Sequence, residues 1–195
     1  MLLDVDASQL VLVDLQSRLI PAVLDGEQVL ANALRLARAA QALGVPIWGT
    51  EQNPQKLGQN PPELRALCRD TLAKQSFSAA ELLLPRLQPA PAGNARSLPR
   101  HLQKQQVSAQ RQMLVLAGVE AHVCLLQTAL ELLDEDYDVW VVTDACSSRT
   151  ERNRDAAFDR MAAAGVELLS TEMVIFEWLR GADHPQFRAL QALIK

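Results

Sequence analysis

The sequence predicts the three-layer α/β class, a mainly parallel central sheet with helices on both faces. Short apolar runs of strand length alternate along the chain with longer stretches whose apolar residues recur at helical spacing. Crossover helices of that length bury their apolar stripes against the sheet, so the strands between them read as continuous apolar runs. At 195 residues the chain suits a single domain spanning 1–195, since one core serves domains up to roughly 250 residues.

Each element has its own signal. "LVLVD" (10–14) reads as a buried strand, and "EQVLANALRLARAAQALG" (27–44) as an amphipathic helix with a glycine stop. "VPIWGT" (45–50) reads as a second strand, and "EQNPQKLGQNPP" after it as a loop, because Pro, Gly and Asn favour turns. "FSAAELLLPRL" (77–87) predicts a helix, and residues 88–97, with "PAPAGN", an exposed loop. "QMLVLAG" (112–118) and "DVWVVTDA" (138–145) predict two more buried strands, each followed by a helix, 121–135 and 150–164. "VELLST" (166–171) is the fifth strand of a Rossmann-like alternation without internal repeats.

Composition narrows the partners. A formal charge of -4 with scattered basic residues leaves no electrostatic footprint for nucleic acid or an anionic membrane, so a small-molecule or protein partner is expected. The opening "MLLDVDASQL" lacks the flank and apolar run of a signal peptide, and no segment approaches the ~18 apolar residues that span a bilayer, which predicts a cytoplasmic protein. Cys68, Cys124 and Cys146 lack CxxC spacing, and His101, His122 and His184 form no ligand cluster. With no GxGxxG or GxxxxGK[ST] motif either, neither a metal nor a cofactor is expected.

In open α/β sheets ligands bind beyond the carboxyl ends of the strands. Asp14, Glu51 and Gln52, the segment from Glu120 to Cys124, and the segment from Asp144 to Ser148 occupy such ends. Cys124 falls in the first turn of a predicted helix, where unpaired N–H groups and the positive dipole end favour thiolate and predict a lowered pKa. The same N–H groups can donate to an oxyanion, although packing at the helix–strand junction explains the residue equally well. Cys146 is a rival with the same local position, beside Ser147 and Ser148 as helix caps. Cys68 reads as an apolar-face residue. Asp14 ends an apolar strand and needs a partner, because a buried carboxylate without one is costly. Lys74 reads by default as a solvated surface lysine. His122 reads as structural more than as a general base, since adjacent helix residues face different ways.

"LVLVDLQSRLIPAV", "GTEQNPQKLG", "KQSFSA", "LAGVEAHVCLLQTALELL" and "VVTDACSSRTERNRDAAFDRMAAAGVEL", in this order through nearly the whole chain to "DHPQFRALQALIK", resemble the isochorismatase-like cysteine hydrolases. The nearest likeness is to their isochorismatase-domain-containing subgroup. The resemblance implies a triad of Asp14, Lys74 and Cys124, which decides between Cys124 and Cys146. In it Asp14 takes the thiol proton, Cys124 attacks an amide-like carbonyl to form a thioester, and Lys74 holds charge and geometry. It further implies a cis peptide between Val119 and Glu120, with the N–H groups of Glu120 and Cys124 as oxyanion hole and Gly118 giving room for the turn.

The metal-dependent branch of that superfamily carries an aspartate and histidines where this chain reads "TEQNPQKLG", so the resemblance implies no metal. Gln52 and Asn53 become candidate substrate contacts, with a turn bonded to its own backbone as the alternative. Phe77 is a candidate to line the site, with core packing as its alternative. The segment 85–112 is longer than the subgroup pattern. Family members commonly form symmetric oligomers, and "FEWLRG" and "FRALQALI" are candidate contacts, or a cover for the chain's own sheet. Two function classes stand: a hydrolase of small amide-like substrates, and a catalytically silent ligand-binding or interaction protein on the same fold.

Overall fold

The computed structural model describes residues 1–87 and 111–195. β1 (Ser8–Val13) is buried along its whole length, Ser8 and Gln9 included, and takes the middle of the sheet. β2 (Ile47–Gln52) flanks it on one side and β4 (Met113–Val119) on the other, both parallel. β3 (Asp70–Lys74) lies outside β2, and β5 (Asp138–Ser147) and β6 (Glu167–Leu169) lie outside β4. The order is therefore β3-β2-β1-β4-β5-β6, parallel throughout the described residues.

Parallel strands require crossovers, and helices supply them. α1 (Gly26–Leu43) buries Val29, Ala33, Leu36, Ala37 and Ala40, spaced at threes and fours, and ends where Gly44 takes a left-handed φ of 73°. Two short helices, α2 (Pro54–Leu57) and α3 (Pro62–Leu67), join β2 to β3, and α4 (Ala80–Leu87) follows β3. α5 (Leu126–Asp134) and α6 (Glu151–Ala164) lead into β5 and β6. α7 (Thr171–Leu179) and α8 (Phe187–Gln191) close the chain. α1 packs with α7 over β5, while α5 packs with α4 and α6, so helices flank the sheet as predicted.

Several expectations change in detail. The sequence predicts five strands, and β3 makes a sixth: as an outer strand it buries only Leu72 and Lys74, too sparse a pattern to mark it. The helix predicted over 77–87 begins at Ala80. β5 runs past the predicted end to Ser147, so Cys146 sits inside a strand, opposite Gly118. The predicted loop 88–97, and 85–112 apart from its ends, lie outside the described residues. "FEWLRG" belongs to α7, whose Val174, Ile175, Trp178 and Leu179 are buried while Met173 and Phe176 remain exposed. No helix among the described residues is long and apolar enough to cross a membrane.

The strand order reverses between β1 and β4, the place where open α/β sheets form a crevice beyond their carboxyl ends. The two strands approach closely there. Gly118 pairs with Val13 and has φ 143°, and a Cβ on it would collide with the Val13 carbonyl oxygen.

Candidate active site

Asp14 leaves β1 in a left-handed conformation, φ 52°, with its carboxylate fully buried. One oxygen, Oδ1, accepts from the Thr50 hydroxyl at 2.7 Å, and the other, Oδ2, accepts from Lys74 Nζ at 2.7 Å. These donors come from the next two strands, and they satisfy a charge that would otherwise be costly to bury.

Lys74 ends β3, two strands from β1 and so about 10 Å away at ordinary strand spacing. Its side chain spans that gap alongside Gln52, its register partner on β2. Besides Asp14, the ammonium donates to Gln52 Oε1 at 2.8 Å, to the Phe77 carbonyl at 2.8 Å and to the Ser76 carbonyl at 3.3 Å. Three protons with four acceptors leave it nothing to seek from solvent, and it is 3% exposed. The solvated-lysine reading fails because Asp14 and these carbonyls replace water.

Cys124 comes from the other side of the switch point. After β4 the Val119–Glu120 peptide bond is cis, and a π-helical turn, Ala121–Leu125, precedes α5. The Leu125 N–H donates to the Glu120 carbonyl, five residues back, at 3.3 Å. This turn buries the Cys124 thiol beside Asp14 and Lys74.

Burial pushes the Cys124 thiol up to about 12; the Asp14 charge adds to the rise and the Lys74 charge opposes it. The predicted lowering is thus corrected. A position in the first turn supplies partial positive charge, but desolvation and a facing carboxylate outweigh it. The resting pair is a neutral thiol against a carboxylate that can accept its proton. Cys146 is fully buried and its thiol is pushed up further, mainly by burial. Cys68 lies at the end of α3, its thiol raised by burial to about 11.

The other candidates divide. Gln52 accepts from Lys74 and its Nε2 donates to the Gln75 carbonyl at 2.7 Å, so its amide is engaged inside the protein. Asn53, at φ 37°, uses its backbone: its N–H donates to the Lys74 carbonyl and its carbonyl accepts from Lys56 and Leu57. Phe77 is 54% exposed, which removes the core-packing reading and places an aromatic ring on the loop whose carbonyls hold Lys74. The Glu120 carboxylate turns toward Arg149 at 2.6 Å. His122 is bound by Ser148 and Asn153 on its two ring nitrogens.

Sequence reasoning missed Thr50, whose hydroxyl grips Asp14, and Gln16, whose buried amide accepts from the Gln52 N–H at 2.7 Å and donates to the Gln52 carbonyl at 2.9 Å. A polar residue opposite a buried acid was the available signal. A cleft of about 510 Å³ between α1, β5 and α6, lined by residues such as Asn32, Asp144 and Cys146, contains no triad residue. Among the described residues no three His, Cys, Asp or Glu side chains converge as metal ligands.

The sequence profile of the isochorismatase domain matches residues 8–173. This chain belongs to the isochorismatase domain family. It is 37% identical over 190 residues to isochorismatase domain-containing protein 2B of Mus musculus, covering 97% of this chain and 82% of that protein. Among solved structures it is similar to the MAR1 ribonuclease of Caenorhabditis elegans, with 31% identity, TM-score 0.84, and coverage of 100% of this chain and 92% of that one. It is also similar to the YcaC gene product of Escherichia coli, described as an octameric hydrolase of unknown specificity, with 26% identity, TM-score 0.78, and coverage of 98% and 95%. Membership of the isochorismatase family supports hydrolase function in general on this α/β fold.

Proposed function

We propose that this chain is a cysteine hydrolase that cleaves a small amide-like substrate through a thioester on Cys124, acting as one domain across residues 1–195. The observation that carries the reading is the buried Asp14–Lys74 ion pair meeting the Cys124 thiol at the strand-order switch point. Asp14 takes the Sγ proton as sulfur attacks the carbonyl carbon, and the N–H groups of Glu120 and Cys124 receive the oxyanion. As the tetrahedral species collapses, the C–N bond breaks and the amine leaves with the proton from Asp14. Water then attacks the thioester, Asp14 accepts its proton, and the acid departs as Cys124 recovers its hydrogen. Lys74 holds Asp14 in place through their 2.7 Å contact and offsets the charge that builds on sulfur.

Gln52, Asn53 and Phe77 are the proposed substrate contacts, Gln52 through its position beside Lys74 and Phe77 through its exposed ring on the loop that holds Lys74. The likeness to a ribonuclease places RNA in the substrate panel, although the charge of -4 offers a polyanion little attraction. Likeness to an octameric hydrolase supports a symmetric homo-oligomer, and sedimentation at two concentrations tests that. Turnover of an amide and ester panel by wild type and Cys124→Ala tests the mechanism. Loss of all hydrolysis with retained folding is expected, and unchanged hydrolysis in the variant would refute it.

A further inference from the structure

Thr128 is fully buried on the first turn of α5, one helical turn beyond Cys124. Its hydroxyl donates to the Cys124 carbonyl at 2.7 Å and accepts from the Ala79 N–H at 3.0 Å. The hydroxyl's one proton and one of its two acceptor sites are therefore engaged across the gap between two segments of the site. One segment is the turn that carries the nucleophile. The other is the loop from Gln75 to Ala79, whose Ser76 and Phe77 carbonyls hold the Lys74 ammonium. The same loop touches α5 once more at its outer side, where the Ser78 hydroxyl donates to Glu131 at 2.6 Å and accepts from the Ala80 N–H at 3.1 Å.

A threonine bonding back to the carbonyl four residues earlier competes with helix geometry and tends to bend it. What the arrangement does accomplish is to fix the cysteine turn against the lysine loop at a depth where water cannot substitute. We infer that Thr128 is a positioning residue of this site: its hydroxyl is the strut that sets Cys124 against the loop holding Lys74. The inference rests on the cysteine hydrolase reading above. Lys74 opposes the rise of the Cys124 thiol, so a loosened lysine loop leaves less thiolate at a given pH.

Thr128→Val keeps the shape and removes both hydrogen bonds, and Thr128→Ser keeps the hydroxyl and removes the methyl. The rate of Cys124 alkylation by iodoacetamide, followed between pH 7 and 10 by peptide mass spectrometry with Cys68 in the same sample, reads the effect without any substrate. Thr128→Val is expected to slow Cys124 labelling about tenfold, the factor carried by one pH unit of lost ionisation, with Cys68 unchanged. Thr128→Ser is expected to label like wild type. If Thr128→Val does not fold, Thr128→Ala takes its place. Wild-type labelling in the variant that lacks the hydroxyl, or slowed labelling in Thr128→Ser, would overturn the strut. Asp14→Asn is the control for the underlying reading. If it leaves Cys124 labelling unchanged, the triad itself fails; if it alters labelling while the Thr128 variants do not, the strut alone fails.

Discussion

Replacing Asp14 by asparagine should make the Cys124 thiol easier to ionise and at the same time slow hydrolysis. The thiol sits at about 12 because burial and the facing Asp14 carboxylate both disfavour a second negative charge, against the pull of Lys74. Removing a neighbouring like charge lowers a pKa by roughly 1–3 units, so Cys124 ionises more readily in the variant. Lys74, deprived of its anion, then has the thiolate as its best remaining counter-charge. Alkylation reads this directly because only the thiolate attacks iodoacetamide. At a pH below both midpoints, Cys124 labelling should rise about 10- to 1,000-fold while Cys68 stays constant. Hydrolysis should fall by about 10²–10⁴, the usual value of a positioned general base. The variant should also lose about 3–5 kcal/mol of stability, since it leaves a buried cation with neutral partners only, so folding must be checked by circular dichroism. Labelling that stays constant or slows in a folded variant would refute the placement of the carboxylate against the thiol. Retained turnover would refute its role as base.

Two further outcomes follow from the geometry. Gly118→Ala should cost about 3 kcal/mol or more and depress activity, because the added methyl meets the Val13 carbonyl just before Asp14 and φ 143° is strained for alanine; an unfolding midpoint in urea within error of wild type would contradict this. Stability should fall as pH rises through 9 toward 12, because Cys124 and Cys146 stay protonated in the folded protein while the unfolded chain releases protons from them near the ordinary value of 9. Melting temperatures that hold level over that range would contradict the raised thiols.

The layers of the fold were legible because β1, β4 and β5 carry runs of buried apolar residues and α1 carries its stripe at regular spacing. β3 was not, since an outer strand ending in Lys74 shows no apolar run. Within the site, Asp14 and Cys124 announced themselves as polar groups just beyond apolar strands. Lys74 did not: it meets Asp14 across 60 residues of sequence, and local pattern assigns such a lysine to solvent. Its place followed from resemblance to a family, not from the residues around it. The thiol's direction of shift was misjudged for a related reason. The helix terminus lies in the same segment as Cys124 and could be counted, whereas the opposing carboxylate arrives from β1, more than a hundred positions away. Gln52 is a candidate substrate contact by sequence, and its bond to Lys74 could not be foreseen because that lysine belongs to the strand that the pattern concealed.

That Lys74 reaches inward from the outermost strand has a dynamic consequence. Sheet edges are ordinarily the first parts of an α/β domain to open, and their backbone amides exchange with solvent at low free-energy cost. Here an opening of β3 would draw the ammonium away from Asp14 and strand a carboxylate in the interior, a penalty the bare backbone ladder would not impose. The edge is thereby latched to the centre of the molecule, and fraying of β3 and rupture of the Asp14–Lys74 pair become one event. Hydrogen exchange along Asp70–Lys74 should therefore be slow for an edge strand, and fast in any protein where the Asp14 charge is absent.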